Sequence, residues 1–293
     1  MKCLIPLYLI AFLPLIAEPE IEGTIPKVTG KVAIDGVLDD AIWKKSKIYR
    51  GDYIQGKVGQ LSNDPRLEVR YAWDSHYLYI GYETFDHNLI ALKLKGQQGP
   101  ADNRRQNCAI WHPDNRKLDV VEFFITFGNE HFFWELHHNA RNDFSDVLCL
   151  VNMPGWEKEK PSIAQWKIYF GSEEFIQDEG PYKLERKVKL KANADGKPST
   201  IGNEKDTDSG YTAELRLPWL GLGAPLSAQT SGRGPWQMAG RKIRLLTVVQ
   251  DGDLKQRYHH SGSVFNDAWF HHGVKSYPVF KLGGKNTPVP KAK

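Results

Sequence analysis

The sequence predicts an all-β protein, an antiparallel β-sandwich with immunoglobulin-like or jelly-roll layers, long loops and few short helices. Short runs with apolar side chains at every second position recur along the chain, separated by polar and glycine-containing segments. No long run shows the 3.6-residue apolar period of an amphipathic helix. The predicted strands are residues 67–71, 77–84, 120–127, 131–137, 162–169, 211–217, 243–250 and 277–282.

The clearest local element is a hairpin made by the first two of these strands. Leu67, Val69 and Tyr71 alternate with polar residues, and the return strand begins at Tyr77. The turn between them contains Asp74, a residue whose short side chain bonds to nearby backbone N–H groups. We therefore expect two adjacent antiparallel strands here.

Upstream of the hairpin, the segment IDGVLDDAIW predicts a tight turn at Asp35 and Gly36 followed by a short helical turn. That helical turn delivers Trp43 to a core. Trp219, in LRLPWLGLG, also follows an apolar strand at the end of an element. Both tryptophans are therefore assigned to structure rather than to ligand binding.

Composition is that of one large β-rich domain. The chain has 293 residues, of which 41% are hydrophobic and 12% aromatic, so it can bury a sizeable core. The net charge is only +4, and the lysines and arginines form no cluster typical of a nucleic-acid surface. We expect no nucleic-acid partner.

The first 17 residues have the pattern of an export signal: one early lysine, an apolar run, and a small residue, Ala17, before Glu18. An uncleaved membrane anchor is the alternative, although the run is shorter than the ~20 residues that span a bilayer. Residues 18–283 then form a single domain with an insertion around 153–208, and 284–293 form a flexible tail. In an exported protein Cys108 and Cys149 could pair or remain thiols.

Five motifs in one order resemble those of the family 9 carbohydrate-binding modules. They are the IDGVLDDAIW segment with its hairpin, LDVVEFFITF, GYTAELRLPWLGLG, IRLLTVVQD and NDAWFHHGVKSYPVFKL. The resemblance covers roughly residues 25–283 and implies an exported, periplasmic, cell-surface or secreted protein that binds a poly- or oligosaccharide without catalysis. It also implies two aromatic walls that sandwich a sugar ring.

Trp269 is the first candidate for such a wall, because it lies in a polar segment before the last predicted strand. The resemblance places it on one of the two stacking residues. Trp111 precedes the DVVE strand with more intervening residues than the family has, and is the candidate for the second wall. Trp134 and Trp156 are its substitutes, and a packed structural role is the alternative for each tryptophan.

Glu122 is the first polar candidate, because a carboxylate within an apolar strand needs a partner. The family has a sugar-binding Glu at this position. An ion pair with Arg70 or Arg141 is the alternative. Asp119, three residues earlier on the strand, is expected to face the opposite side.

Four further residues are implied as sugar ligands by the resemblance. Arg257 and Asn266 align with a family Arg and Asn that contact sugar. Where the family has an Arg and an Asn two residues apart, this chain has Glu135 and His137. That change predicts a different hydroxyl pattern or a ligand with a cationic group, although a solvent-facing Glu135 is the alternative.

Metal and cofactor chemistry are less strongly indicated. Structural calcium is suggested by the resemblance, and the candidate ligands, without diagnostic spacing, are Asp74, Asp86, Asp143 and Asp146. Each adjacent histidine pair, such as His137 and His138, can give only one ligand to one site, because neighbouring strand residues face opposite sides.

Three other functions stay open. A haem protein of the same architecture would use a methionine, Met153 or Met238, with a histidine. A glycosidase would need paired carboxylates such as Glu122 and Glu135. A scaffold for protein contacts would need neither, and the sequence shows no catalytic motif.

Overall fold

The computed structural model describes residues 20–54, 66–91, 119–128, 132–151, 166–170, 183–230, 235–251, 257–261, 274 and 277–286. Its strands are β1 (Ile21–Ile25), β2 (Tyr49–Ile54), β3 (Arg66–Trp73), β4 (Tyr77–Phe85), β5 (Val120–Thr126), β6 (Phe132–His138), β7 (Phe144–Val151), β8 (Trp166–Phe170), β9 (Glu185–Leu190), β10 (Tyr211–Pro218), β11 (Lys242–Asp251), β12 (Arg257–Ser261) and β13 (Val279–Leu282). A short helix, α1 (Ala41–Lys45), and a 3₁₀ turn (Leu226–Ala228) interrupt them.

The strands form two mostly antiparallel sheets, as predicted. The first sheet has the order β8-β7-β6-β5-β11, and the far edge of β11 pairs with β13 at one end and with β12 at the other. The second sheet has the order β2-β3-β4-β10-β9. Strand β2 pairs with both β12 and β3, so it links the two sheets, and β1 adds to β13 in parallel.

The main core lies between the sheets because alternate side chains of each strand point inward. Val121, Phe123 and Ile125 of β5 contribute from the first sheet, and Leu78 and Ile80 of β4 from the second. All five are buried. The side chains between them on each strand therefore face outward.

The predicted hairpin is confirmed as β3 and β4. Asp74 closes its turn: Oδ1 accepts the N–H groups of His76 and Tyr77 at 2.7 and 2.8 Å. Oδ2 accepts the Tyr79 hydroxyl at 2.7 Å. Asp74 thus bonds to two backbone N–H groups of the turn and to one side chain of β4, so the turn depends on this residue.

The IDGVLDDAIW segment packs on the outer face of the second sheet. Trp43 is buried there in a small cluster with Ala72, Tyr77 and Tyr79, separate from the main core. Gly81 makes the room, since a Cβ at this position would lie 3.1 Å from the Trp43 ring. The structural role predicted for Trp43 is confirmed.

Glu214 of β10 fastens this segment to the sheet. Its Oε2 accepts the backbone N–H groups of Asp35 and Gly36, both at 2.8 Å, and its Oε1 accepts the Trp43 indole N–H at 2.6 Å. Burial raises the pKa of the Glu214 carboxyl, while these three donors lower it. The tight turn and the tryptophan thus share one carboxylate.

Five strands were not predicted: β1, β2, β7, β9 and β12. Strand β9, within the predicted insertion, is a lysine-containing edge strand on β10; only Val188 and Leu190 alternate with its lysines and pack on the core, which is a short pattern in a polar segment. Strand β7 begins with Phe144 and contains a buried Asp146, which obscures its pattern. In the part of the chain that the structure describes, no helix is long and apolar enough to cross a membrane.

Candidate functional site

Three polar side chains converge on the outer face of the first sheet. Glu122 lies on β5, and Glu135 and His137 lie on β6, two residues apart and therefore on one face. Glu122 and His137 are paired directly across the two strands. We call these three residues the outer-face triad.

The neighbouring residue, His138, shows which face the triad occupies. The ring of His138 points into the sandwich, where its Nδ1 accepts the hydroxyl of Tyr82 from the second sheet at 2.7 Å. Its Nε2 donates to Asn142 Oδ1 at 3.0 Å. Burial lowers the pKa of His138 to about 3, which keeps this ring neutral. His137 points the opposite way, as predicted for an adjacent pair on a strand.

Within the triad, the His137 ring lies close to both carboxylates. His137 Nε2 is 3.0 Å from Glu135 Oε1 and 3.8 Å from Glu122 Oε1. One potential ligand atom from each residue lies within 4.8 Å of the other two. The second oxygen of Glu135 accepts the Cys149 thiol at 3.5 Å. Cys149, on β7, therefore extends the cluster across a third strand.

All three triad residues are buried although they face away from the main core. Their exposed fractions are 3% for Glu122, 4% for Glu135 and 0% for His137. This burial raises the pKa of the Glu122 carboxyl to about 7; the Glu135 charge acts in the same direction, and His137 opposes both. Two carboxylates share one imidazole in a site with little water, so an added cation or hydrogen-bond donor is favoured there.

Aromatic rings border the triad on the same outer face. Phe124 and Phe133 have ring centroids 5.9 Å apart, and Tyr277 lies 6.0 and 5.9 Å from them. Burial raises the pKa of the Tyr277 hydroxyl well above its usual value, and nearby Cys149 and Glu135 add to the effect. A polar cluster thus sits beside three buried aromatic rings that are tilted relative to one another.

The structure brings together three of the seven predicted sugar ligands. Glu122, Glu135 and His137 form the triad, and the solvent-facing alternative for Glu135 is wrong because β6 is buried on both faces. Arg257 opens β12, where its backbone pairs with Asp251. The side chain of Arg257 lies outside the described part of the structure, as do Trp269, Trp111 and Asn266.

Several alternatives for individual residues are wrong. Trp134 cannot be a stacking wall, because it is buried in the main core; Trp156 lies outside the described residues. Neither arginine proposed for Glu122 is paired with it: Arg70 lies 3.9 Å from Glu68, and Arg141 lies 3.9 Å from Asp143.

The sulfur-containing candidates also have defined places. Cys149 is a buried thiol rather than half of a disulfide, while Cys108 falls outside the described residues. Met238 is fully buried in the main core, a position typical of packing rather than of a haem ligand, and Met153 is outside the described residues. The proximity of Cys149 to Glu135 could not be read from the sequence, because β7 itself was not predicted.

Two calcium candidates already bond to the protein. The carboxylate of Asp74 closes the hairpin turn, and Asp86 Oδ1 accepts the Asn88 N–H at 2.9 Å. Asp119 lies just before β5. Its N–H donates to the Ile90 carbonyl oxygen, and its carboxylate accepts the Ile90 N–H. It is buried and takes no part in the triad, in agreement with the expectation that Asp119 and Glu122 face opposite sides.

The fold is shared with solved carbohydrate-binding structures. A family 9 carbohydrate-binding module from Caldicellulosiruptor kristjanssonii, in complex with cellotriose, has a TM-score of 0.50 and 13% identity over 92% of this chain and 100% of its own. A Bacteroides uniformis protein proposed to bind carbohydrate has a TM-score of 0.55 and 12% identity over 89% of this chain and 99% of its own. No protein-family model and no curated protein sequence matches the chain. The chain therefore has a β-sandwich fold like that of the family 9 modules.

Proposed function

We propose that the protein is exported and binds carbohydrate without modifying it, on the outer face of the first sheet. The observation that carries the proposal is the outer-face triad: three buried polar side chains beside aromatic rings, on the outside of a sandwich whose fold is shared with carbohydrate-binding modules. A buried carboxylate needs a partner, and among the described residues Glu122 and Glu135 have one imidazole and one thiol close to them.

The chemistry of the triad suits a sugar. A pyranose offers a flat C–H face and a rim of hydroxyls, so it needs aromatic walls and charged or amide groups. The carboxylates of Glu122 and Glu135 accept hydroxyl hydrogens, and the His137 ring is held by Glu135 at 3.0 Å. In this proposal Trp269 and Trp111 are the stacking walls, and Arg257 and Asn266 contact the rim.

The acidic side chains of the triad favour a particular class of sugar. The resemblance implies an Arg and an Asn where this chain has Glu135 and His137, so a hydrogen-bond donor is replaced by an acceptor. A ligand rich in donors, such as a sugar with a free amino group, fits this site better than one that carries carboxylates.

Binding without catalysis is supported by the spacing of the two carboxylates. His137 Nε2 lies 3.0 Å from Glu135 Oε1 and 3.8 Å from Glu122 Oε1. Glycosidases hold the scissile bond between carboxyls that are ~5–9.5 Å apart. Carboxylate oxygens of Glu122 and Glu135 lie within 4.8 Å of each other, which is closer than that range.

A glycan array followed by calorimetric titration tests this proposal. Trp269→Ala should weaken binding to the array-selected glycan at least about tenfold, which corresponds to the loss of ~1.4 kcal/mol. The matched control is Glu83→Gln, a half-exposed carboxylate on β4 that pairs with Lys191 at 2.9 Å. No glycan binding by the folded chain, or equal losses in both variants, would contradict the proposal.

Export and calcium are tested separately. If the first 17 residues are a signal, the exported chain begins at Glu18 when its N-terminus is sequenced. Calcium on the loop aspartates is tested by elemental analysis of the purified protein after dialysis. An intact Met1 in the exported fraction would contradict a cleaved signal, and an absence of calcium would contradict the calcium expectation.

A further inference from the structure

We propose that Glu122, Glu135 and His137 form a binding site for a divalent transition-metal cation of the zinc type. The proposal goes beyond carbohydrate binding and does not depend on it. It concerns residues on two adjacent strands, and it differs from the calcium expectation both in place and in chemistry.

The spacing of the donor atoms fits a tetrahedral ion. With Zn–N and Zn–O bonds of ~2.0–2.2 Å, two ligand atoms of a tetrahedral site lie about 3.4 Å apart. His137 Nε2 lies 3.0 Å from one carboxylate oxygen and 3.8 Å from the other, on either side of that value. Each residue offers one donor, and the three donors lie within 4.8 Å of one another. Small rotations of the carboxylates would complete the geometry.

The burial of the site supplies the second argument. Each triad residue is at least nine-tenths buried. Buried carboxylates are usually paired with cations or bound to metals, because desolvation of a charge is costly. A protonated His137 would balance one of the two carboxylates, whereas a divalent ion beside a neutral imidazole balances both. The strands hold the three donors on a rigid surface, as metal sites require.

The types of donor favour zinc over calcium or magnesium. Calcium and magnesium select oxygen ligands, while imidazole nitrogen suits zinc and neighbouring transition metals. The thiol of Cys149, 3.5 Å from a Glu135 oxygen, places a soft atom at the edge of the site. Three protein ligands leave a fourth position open, as in zinc sites that bind water or a ligand group.

The first experiment measures metal binding by the full chain. The protein is treated with a chelator, dialysed and titrated with Zn²⁺ in a calorimeter, and zinc content is measured by elemental analysis. We expect one tightly bound Zn²⁺ per chain and a higher melting temperature with zinc. A wild-type protein that binds no zinc, or binds it only through weak surface histidines, overturns the proposal.

Variants locate the ion. Glu122→Gln and His137→Gln should each weaken Zn²⁺ binding more than about 100-fold, beyond the ~10–100-fold cost of losing an outer-shell partner. Glu83→Gln and His76→Gln are matched controls, because Glu83 pairs with Lys191 and His76 contacts Ser75 at 3.2 Å. Equal affinity in site and control variants overturns the assignment.

X-ray absorption of the zinc-loaded wild type covers the case in which a site variant fails to fold. The triad predicts one imidazole among the zinc ligands and oxygen donors for the rest, with at most one sulfur. Two or more imidazoles would place the ion at a different set of histidines and overturn the proposal. Since no glycan enters these measurements, their failure is distinguishable from failure of the proposed carbohydrate function.

Discussion

Replacing Glu214 with glutamine should destabilise the protein by about 2–4 kcal/mol without abolishing its fold. Glu214 accepts three N–H groups, from Asp35, Gly36 and Trp43, at 2.6–2.8 Å. Glutamine keeps only one acceptor oxygen. Turned toward Asp35 and Gly36, it sets its own NH₂ group against the Trp43 indole N–H, so that two donors face each other.

The magnitude follows from these three bonds. A hydrogen bond to a charged group is worth ~1.5–3 kcal/mol and a neutral one ~0.5–1.5 kcal/mol, so the variant loses one bond and weakens two. Removal of the buried charge offsets part of the lost stability, because burial disfavours the ionised carboxylate and raises the pKa of Glu214.

Urea denaturation, followed by circular dichroism and tryptophan fluorescence, measures the effect, with the m-value as a check on two-state behaviour. Trp43→Phe removes only the indole donor, and the Glu214→Gln/Trp43→Phe double variant removes the clash of donors. The double variant should therefore be at least ~1 kcal/mol more stable than the sum of the single losses predicts. A Glu214→Gln loss below about 0.5 kcal/mol, or strict additivity, would refute the role of Glu214 as the shared acceptor.

Three further predictions concern packing and the site. Trp219→Ala should cost ~3–5 kcal/mol in urea denaturation, because the indole is fully buried and donates to Asp74 O at 2.8 Å; a fully stable variant that loses ligand would reverse its structural assignment. Glu122→Gln should weaken glycan binding more than Asp119→Asn in calorimetric titration, whereas Asp119→Asn should lower the melting temperature. Equal or reversed affinity losses would contradict the assignment of Glu122 and Asp119 to opposite faces of the sheet. Gly210→Ala should destabilise the protein by more than ~2 kcal/mol, since its φ is +91° and a Cβ would lie 2.1 Å from the Thr84 carbonyl oxygen; a melting temperature equal to the wild type would contradict that backbone conformation.

The strands with strong apolar alternation could be predicted from the sequence, and those without it could not. Strands β3, β4, β5 and β10 each bury one face in the main core, which enforces a period of two. Strand β12 contains Tyr258, His259, His260 and other polar residues, so its composition resembles a loop. Its place is set by pairing with β11 and β2, and such long-range partners are not encoded in any local pattern.

Three residues of the candidate site could be singled out from the sequence, but their contacts could not. Alternation put Glu122 on the outer side of β5, and a two-residue spacing put Glu135 and His137 on one face of β6. The sequence could not show that His137 stands directly opposite Glu122, because that depends on the register between β5 and β6. It also gave no sign that this outer face is buried.

Burial on both faces of β6 changes how the polar residues of the strand should be understood. On the inner face His138 is satisfied within the protein, between Tyr82 and Asn142, and its pKa falls to about 3. On the outer face the triad concentrates two carboxylates around one imidazole, and the pKa of Glu122 rises to about 7. Burial thus keeps His138 neutral, whereas His137 lies beside two carboxylates that favour a cation. Both the sugar and the metal proposals rest on the geometry of the triad, three buried donors within 4.8 Å of one another on the outer face.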